Sequence, residues 1–323
     1  MNNTNVINVS DLTKDYEKIR AVDHISFEIK QGEIFGFLGP NGAGKTTTIR
    51  MLTGLSKPTN GSASILGYKI QSEIIKIKKH IGVVPEISNL YDELSGMDNL
   101  LFMAQLYGVP GPERKIRSEE LLKMFGLYER KGSLFRSYSR GMKRALTIAA
   151  ALIHNPKILF LDEPTVGLDV MTARSLRNLI KNLQSQGITI FLTTHYLEEA
   201  DILCDRIAIL VKGKIIMTDS PQNIKSSIEQ ESVIEFVFDR DISQFIKTLS
   251  EHLSESKVTA IDLNKIKILG GNPNNIFNSV SNLAKADNFE ISSINTIKPS
   301  LEDAFVKITG LSPTIMAIEK GKK

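Results

Sequence analysis

Apolar positions along this chain follow two alternating periods. Gly32 to Leu38 (GEIFGFL) is a short, mostly apolar run ending in a glycine-rich turn, and Thr46 to Leu55 then carries the spacing of a helix. The same unit returns at Lys157 to Leu161 (KILFL), before an acidic turn, and at Gly187 to Thr193 (GITIFLT), before the helical stretch Tyr196 to Cys204. Strands that alternate with helices predict a parallel sheet and an α/β class. Between them, Met97 to Tyr107 and Glu119 to Phe125 place apolar residues three and four apart, with Gly108, Pro110, Gly111 and Pro112 as the break. This predicts a helical insertion over about residues 88–153.

Around Asp219 to Gln222 that rhythm stops. Val233 to Phe238 alternates, and Ile242, Phe245, Ile246, Leu249 and Leu253 mark one helix face. Strands follow at Val258 to Leu263 and Ile266 to Leu269, then a helix through Ile276, Phe277, Val280 and Leu283, then a strand at Phe289 to Ile294. Strand, helix, strand, strand, helix, strand is the ferredoxin-like order, with Asn264 and Lys265 as a tight link; a β-barrel module is the alternative. We therefore expect a first domain at 1–222, a small α+β domain at 223–311, and a short mobile tail at 312–323. Both helices should pack on one face of an antiparallel sheet. The helix announced by Ser300 and Asp303 at capping-box-like spacing either covers the open face or reaches back through Leu301, Phe305 and Ile308.

Composition narrows the class without naming a partner. With 323 residues, 41% hydrophobic and 24% charged, the chain has the balance of a folded globular protein. Lys plus Arg at 40 against Asp plus Glu at 36 leaves +4, evenly spread, which gives no electrostatic case for nucleic acid. The single cysteine, Cys204, excludes an intrachain disulfide and points to a reducing compartment. The apolar runs Ile148 to Ile153 and Ile158 to Leu161 fall far short of the ~18 residues a membrane span needs. Met1 to Ser10 lacks the basic and apolar regions of a secretory signal, so a cytoplasmic location is expected.

Two segments carry chemistry. Gly39, Pro40, Asn41, Gly42, Ala43, Gly44, Lys45 and Thr46 spell G-x-x-x-x-G-K-[ST], directly after an apolar strand and at the start of a helix. Glycines there let backbone N–H groups converge on phosphate oxygens, the helix N-terminus adds a favourable dipole, Lys45 reaches the β and γ phosphates and Thr46 can ligate Mg²⁺. A nucleoside triphosphate fits that cradle, which Thr47 extends. Ile158 to Pro164 (ILFLDEP) then sets two carboxylates at the end of a buried strand, where open α/β sheets place their ligands. Asp162 is suited to hold Mg²⁺, and Glu163 to polarise a water for attack on the γ phosphate.

With these motifs the chain resembles the nucleotide-binding subunits of ATP-binding cassette (ABC) transporters, over about residues 4 to 220. Tyr16, Gly39 to Thr46, Gly82 to Glu86, Tyr138 to Met142, Asp162 with Glu163, Gly167 to Asp169, and His195 stand in the family's order. The resemblance implies a P-loop ABC cassette that binds ATP and Mg²⁺. Tyr138-Ser139-Arg140-Gly141-Met142 stands where the family has Leu-Ser-Gly-Gly-Gln; Ser139 and Gly141 are kept, and Ser139 can cap a helix whose N–H groups face the partner subunit's γ phosphate. Glu86 stands where the family usually has a metal-sensing glutamine, retaining an oxygen ligand but adding charge. His195, after the strand Ile188 to Thr193, matches the histidine that touches the γ phosphate; Asp169 matches the loop that communicates across the dimer; Tyr16 matches the aromatic that stacks on adenine.

The implied protein is an ATPase that dimerises, with an identical or a different cassette, around two ATP and drives a separate integral membrane permease from the cytoplasmic face. Ser300 to Gly310 (SLEDAFVKITG) is similar to the end of the drug- and polysaccharide-exporter group, which favours export. Two other readings remain: a soluble ABC-type ATPase acting on ribosomes or DNA, which would show tandem cassettes or sustained heptads, and a low-turnover regulatory module, which would lack a base such as Glu163.

Overall fold

The structure, a computed structural model, describes residues 4–228, 232–243, 245–253 and 256–311. It divides into two compact units, the first ending at Ser220 and the second starting at Pro221. The tail expected to be mobile, 312–323, lies outside the described residues.

In chain order the first unit contains β1 (Asn5–Tyr16), β2 (Ile19–Lys30), β3 (Ile34–Leu38), α1 (Lys45–Leu52), β4 (Asn60–Ile65), β5 (Tyr68–Lys69), α2 (Ile74–Lys78) and β6 (Ile81–Val84). It continues with α3 (Gly96–Leu106), α4 (Gly111–Met124), α5 (Arg140–Leu152), β7 (Ile158–Asp162), α6 (Val170–Ser185), β8 (Thr189–Thr194), α7 (Leu197–Leu203), β9 (Arg206–Val211) and β10 (Lys214–Asp219). One sheet has the order β10-β9-β3-β8-β7-β6, parallel except for β10 at its edge. Strands β3, β7 and β8 are buried at every position, as a sheet covered on both faces requires. Their continuous apolar runs, rather than alternation, are what made these strands readable.

A second sheet, β2-β1-β4-β5, is antiparallel where its register is resolved and was not apparent from periodicity. Strand β1 pairs with β2 through repeated register shifts, and Asp11 sits at φ 54. Such bulges break the two-residue alternation that marks a strand. Phe27 of β2 joins the two sheets: its ring lies 5.6 Å from Phe35 and 5.0 Å from Phe37 of β3, and Phe37 lies 5.0 Å from Phe191 of β8. Each ring pair adds about 0.5–1.5 kcal/mol beyond area burial.

The helical insertion is α3 to α5. Helix α4 begins at Gly111, well before the expected Glu119, because Pro112 falls in its first turn, where a missing N–H costs nothing. Proline here starts a helix instead of separating two.

The second unit contains α8 (Pro221–Ser226), β11 (Val233–Phe238), α9 (Phe245–His252), β12 (Lys257–Asp262), β13 (Lys265–Leu269), α10 (Pro273–Ala286), β14 (Ile291–Thr296) and α11 (Leu301–Thr309). Its sheet has the order β12-β13-β11-β14, all neighbours antiparallel, which is the ferredoxin-like topology. Leu263 and Asn264 link the middle strands, and Lys265 already belongs to β13. One face is apolar, with Ile234, Phe236, Phe238, Ile266 and Ile268 packed in a common core with α9 and α10. Phe277 departs from the expected helix face and is 47% exposed, because the buried stripe of α10 runs through Ile276, Val280 and Ala284. Helix α11 covers the opposite face: Lys267, which points away from Ile266 and Ile268, lies 3.2 Å from Asp303.

Candidate functional site

The ends of four parallel strands bring the polar residues together. Beyond β3 the chain turns through Gly39 to Lys45 into α1; β7 ends in Asp162 with Glu163 next; His195 follows β8; Glu86 lies two residues past β6. Gly44 caps α1 at φ 107, and a Cβ there would come within 2.5 Å of the Ala21 carbonyl oxygen, so glycine is required at that point. Pro40 to Thr47, Ala21, Glu86 and Glu163 line one cavity of about 140 Å³.

Inside it the charges are paired. The Lys45 ammonium, buried, donates to the carbonyls of Gly39 (2.5 Å) and Pro40 (3.2 Å) and stands 3.2 Å from Glu163 Oε1. Burial lowers the Lys45 pKa from its ordinary value, against the pull of Glu163. The other Glu163 oxygen, Oε2, lies 2.9 Å from His195 Nδ1. Burial alone would raise the Glu163 pKa, but the His195 hydrogen bond and the Lys45 charge outweigh it and hold the carboxyl below its ordinary range. Asp162 differs: burial is its largest influence and raises it, although Oδ1 accepts from Thr193 Oγ1 (2.6 Å) and Thr46 Oγ1 (3.2 Å).

Backbone geometry aims Glu163. Its φ of 49 lies in the left-handed region, unusual for a residue with a side chain. Its N–H is held by the Thr193 carbonyl and hydroxyl at 3.1 and 3.0 Å. A strained turn at a strand end is where function justifies the cost.

Metal chemistry fits the residues present. Among the described residues no group of three or more His, Cys, Asp and Glu forms a self-sufficient metal site. A hydroxyl on Thr46, a carboxylate on Asp162 and Glu86 across the cavity form an all-oxygen set, which suits a hard cation sharing its remaining positions with phosphate and water.

The sequence model of the ABC transporter family matches residues 22–166. Across 307 residues the chain is 36% identical to the linearmycin resistance ATP-binding protein LnrL of Bacillus subtilis (strain 168), spanning 94% of this chain and 98% of that protein. This chain belongs to the ABC transporter family. Its similarity to the daunorubicin/doxorubicin resistance ATP-binding protein DrrA of Streptomyces peucetius is 34% over 308 residues, 95% of this chain and 93% of that one. A dimeric ATP-binding cassette, MJ0796, solved in a post-hydrolysis state with ADP and Pi, superposes with a TM-score of 0.61 at 30% identity, over 66% of this chain and 98% of that chain. The protein is thus an ATP-binding subunit and an ATPase, and the residues that match the family model fall within the first unit.

The remaining ABC motifs lie apart from the cavity lined by Pro40 to Thr47 of their own chain. Ser139 caps α5, its hydroxyl accepting from the Met142 N–H at 3.3 Å, and is exposed together with Arg140. Gly141 stands against Thr172 so closely that any side chain would collide with it. Tyr138, in place of the family's leucine, is buried and donates to the Arg130 carbonyl at 2.7 Å, over a helix start at Gly96 that has no side chain to obstruct it. Asp169 caps α6 through the Thr172 N–H (2.9 Å). Tyr16 is 42% exposed at the end of β1, its hydroxyl 3.4 Å from Ser56 Oγ and Lys14 Nζ 4.8 Å from its ring. It does not line the cavity.

Three residues that the motifs did not flag complete the site: Ala21, Thr193 and Arg144. Thr193 lies near the end of an ordinary, mostly apolar strand, and Ala21 has no chemistry to notice. Arg144 left no distinct signal, because it stands beside Lys143 and one turn after Arg140, just before the mostly apolar run Ala145 to Leu152.

Proposed function

We propose that this chain is the ATP-hydrolysing subunit of an exporter, pairing with a second ATPase subunit around two ATP and driving a separate integral membrane permease. The observation that supports it best is the Glu163 carboxylate, held by a left-handed turn between Lys45 and His195 at the phosphate cavity. In this reading the backbone from Gly39 to Thr47 holds the phosphates and Lys45 swings to the β and γ oxygens. Thr46, Asp162 and Glu86 hold Mg²⁺, which supplies charge neutralisation of the transferred phosphoryl group. Glu163, ionised throughout the neutral range, accepts a hydrogen bond from the attacking water and begins to draw its proton; His195 fixes the carboxylate and contacts the γ phosphate. Tyr16 stacks on adenine, and Ser139, Gly141 and Asp169 complete the site of the partner subunit.

Export is favoured by the names of LnrL and DrrA, both resistance proteins. No helix among the described residues is long and apolar enough to cross a membrane, so the transport path would belong to the permease, with this subunit on the cytoplasmic face. Residues 1–222 act as the ATPase domain and 223–311 as an accessory module for regulation or dimer contact.

Glu163→Gln tests the reading. The amide fills the same space but cannot take a proton, so steady-state hydrolysis should fall by about 10²–10⁴-fold while ATP binding persists. Light scattering of that variant at saturating ATP and Mg²⁺ should register a dimer. Near-wild-type turnover would remove Glu163 from its role, and an unchanged mass would defeat the shared-site arrangement.

A further inference from the structure

One buried side chain connects parts of the site that no motif links. Arg144, one turn into α5, is buried and donates to five backbone carbonyls. Nε reaches Pro164 (2.9 Å), and one terminal nitrogen, Nη2, reaches Asp162 (2.7 Å) and Glu163 (2.8 Å). The other, Nη1, reaches Pro85 (2.5 Å) and Glu86 (3.3 Å). A planar fork with five N–H donors is the only side chain able to serve both groups at once.

What it holds matters more than how many bonds it makes. The Glu163 turn is strained, its N–H fixed by Thr193 on one side and its carbonyl by Arg144 on the other. The Pro85 and Glu86 carbonyls belong to the turn that presents Glu86 to the phosphate cavity. Two neighbouring polar contacts of α5 reach the loop that follows the Glu86 turn and not the Glu163 turn: Lys143 pairs with Asp92 at 2.9 Å and Thr147 meets Ser88 at 2.7 Å. Burial lowers the Arg144 pKa to about 10, against the pull of the Asp162, Glu199, Glu86 and Glu163 charges, so the guanidinium stays charged at neutral pH. Replacing it with an apolar group would leave buried carbonyls unsatisfied, whereas lysine keeps the charge but cannot span the two sides.

We propose that Arg144 is a positioning residue for hydrolysis, which ties the helix begun by Ser139 to both the Glu163 turn and the Glu86 turn so that the three move as one. This rests on the reading of Glu163 as the water-activating group. It acts on turnover and not on nucleotide capture, since Lys45 and the Gly39 to Thr47 backbone receive no bond from it.

The full-length chain carrying Arg144→Lys, Arg144→Met or Lys143→Ala would be compared with wild type for thermal midpoint, affinity for trinitrophenyl-ATP, and kcat and KM for ATP. Arg144→Lys is expected to retain trinitrophenyl-ATP affinity within about threefold and to lose roughly 10- to 100-fold in kcat, the range for supporting residues one shell from the chemistry. Lys143→Ala, which loosens only one side, should change kcat by less than about threefold. Turnover of Arg144→Lys near wild type overturns the proposal. So does a parallel loss of affinity and kcat, or an equal loss in Lys143→Ala, because either marks a general packing role. If Arg144→Met fails to fold, Arg144→Lys decides alone. Wild-type hydrolysis that Glu163→Gln leaves intact would defeat the assignment of Glu163 and with it this proposal, while loss in Glu163→Gln but not in Arg144→Lys defeats Arg144 only.

Discussion

The two units handle buried polarity in opposite ways. In the first, Lys45, Arg144, Asp162, Glu163, His195 and Glu199 are all buried, five of them near one set of strand ends. In the second, Asp303 is the one buried polar or charged residue among those described, and it pairs with Lys267 beneath α11. Removing a charge from water costs several kcal/mol unless partners compensate it, so a fold alone has no reason to concentrate such groups. Where it does, chemistry is the better explanation. The second unit, with an apolar core of Ile, Leu, Val and Phe, reads as shape and surface instead.

Breaking each unit at its centre should therefore give different failures. Phe236→Ala removes a fully buried ring from β11, an inner strand of the second unit's sheet, at an expected cost of about 3–5 kcal/mol. Calorimetry should register a weakened transition while ATP affinity per folded molecule holds; loss of affinity would deny the separation. Lys45→Ala should reverse the pattern. Truncating a buried, paired charge costs about 2–5 kcal/mol, here taken from ATP binding measured by titration calorimetry, with the second unit's melting unmoved. Retained affinity would show that Lys45 does not reach phosphate.

Legibility followed the same divide. The glycine-rich turn from Gly39 into α1 could be read because its backbone needs glycines at fixed spacing, and the central strands because both faces are buried. Asp162 and Glu163 could be placed at a strand end by KILFL alone. The antiparallel sheet was invisible because bulges around Asp11 erase alternation, and α4 was shortened because Pro112 reads as a breaker when its position relative to the helix start is unknown. Arg144 was passed over for a deeper reason. Its role depends on five carbonyls that lie 18 to 59 residues away, and backbone oxygens carry no residue identity.

A pH experiment sharpens the contrast within the first unit. Burial raises Asp162, so the folded state takes up its proton at a higher pH than the unfolded chain does. Its ionised form therefore costs stability above the folded pKa, and that cost disappears as pH falls toward the unfolded value. Asp162→Asn keeps an oxygen for Thr193 and Thr46 but never ionises. Its thermal midpoint without nucleotide should exceed wild type at pH 7.5, with the difference narrowing as the pH falls into the carboxylate range. Glu163, held low by His195 and Lys45, has the opposite sign: its contribution is present above the unfolded pKa and is lost as the pH falls through the folded one. A midpoint for Asp162→Asn that stays below wild type at pH 7.5 would contradict the burial argument.

The smallest expected effect lies at the start of α11. The Ser300 hydroxyl accepts from the Asp303 N–H at 3.2 Å, and the Asp303 carboxylate accepts from the Ser300 N–H at 2.8 Å, a reciprocal capping box. Asp303 also meets Lys267 across the sheet, so the cap fixes both the helix end and its attachment. Ser300→Ala removes the hydroxyl acceptor while leaving the carboxylate and its pairing, and should cost about 1 kcal/mol. In a unit of this size that is a shift of about 4–8 °C in its own melting transition. ATP affinity should be indifferent to it. A loss of ATP affinity that goes beyond the change in melting would instead give the second unit a part in nucleotide binding and erase the contrast between a chemical unit and a structural one.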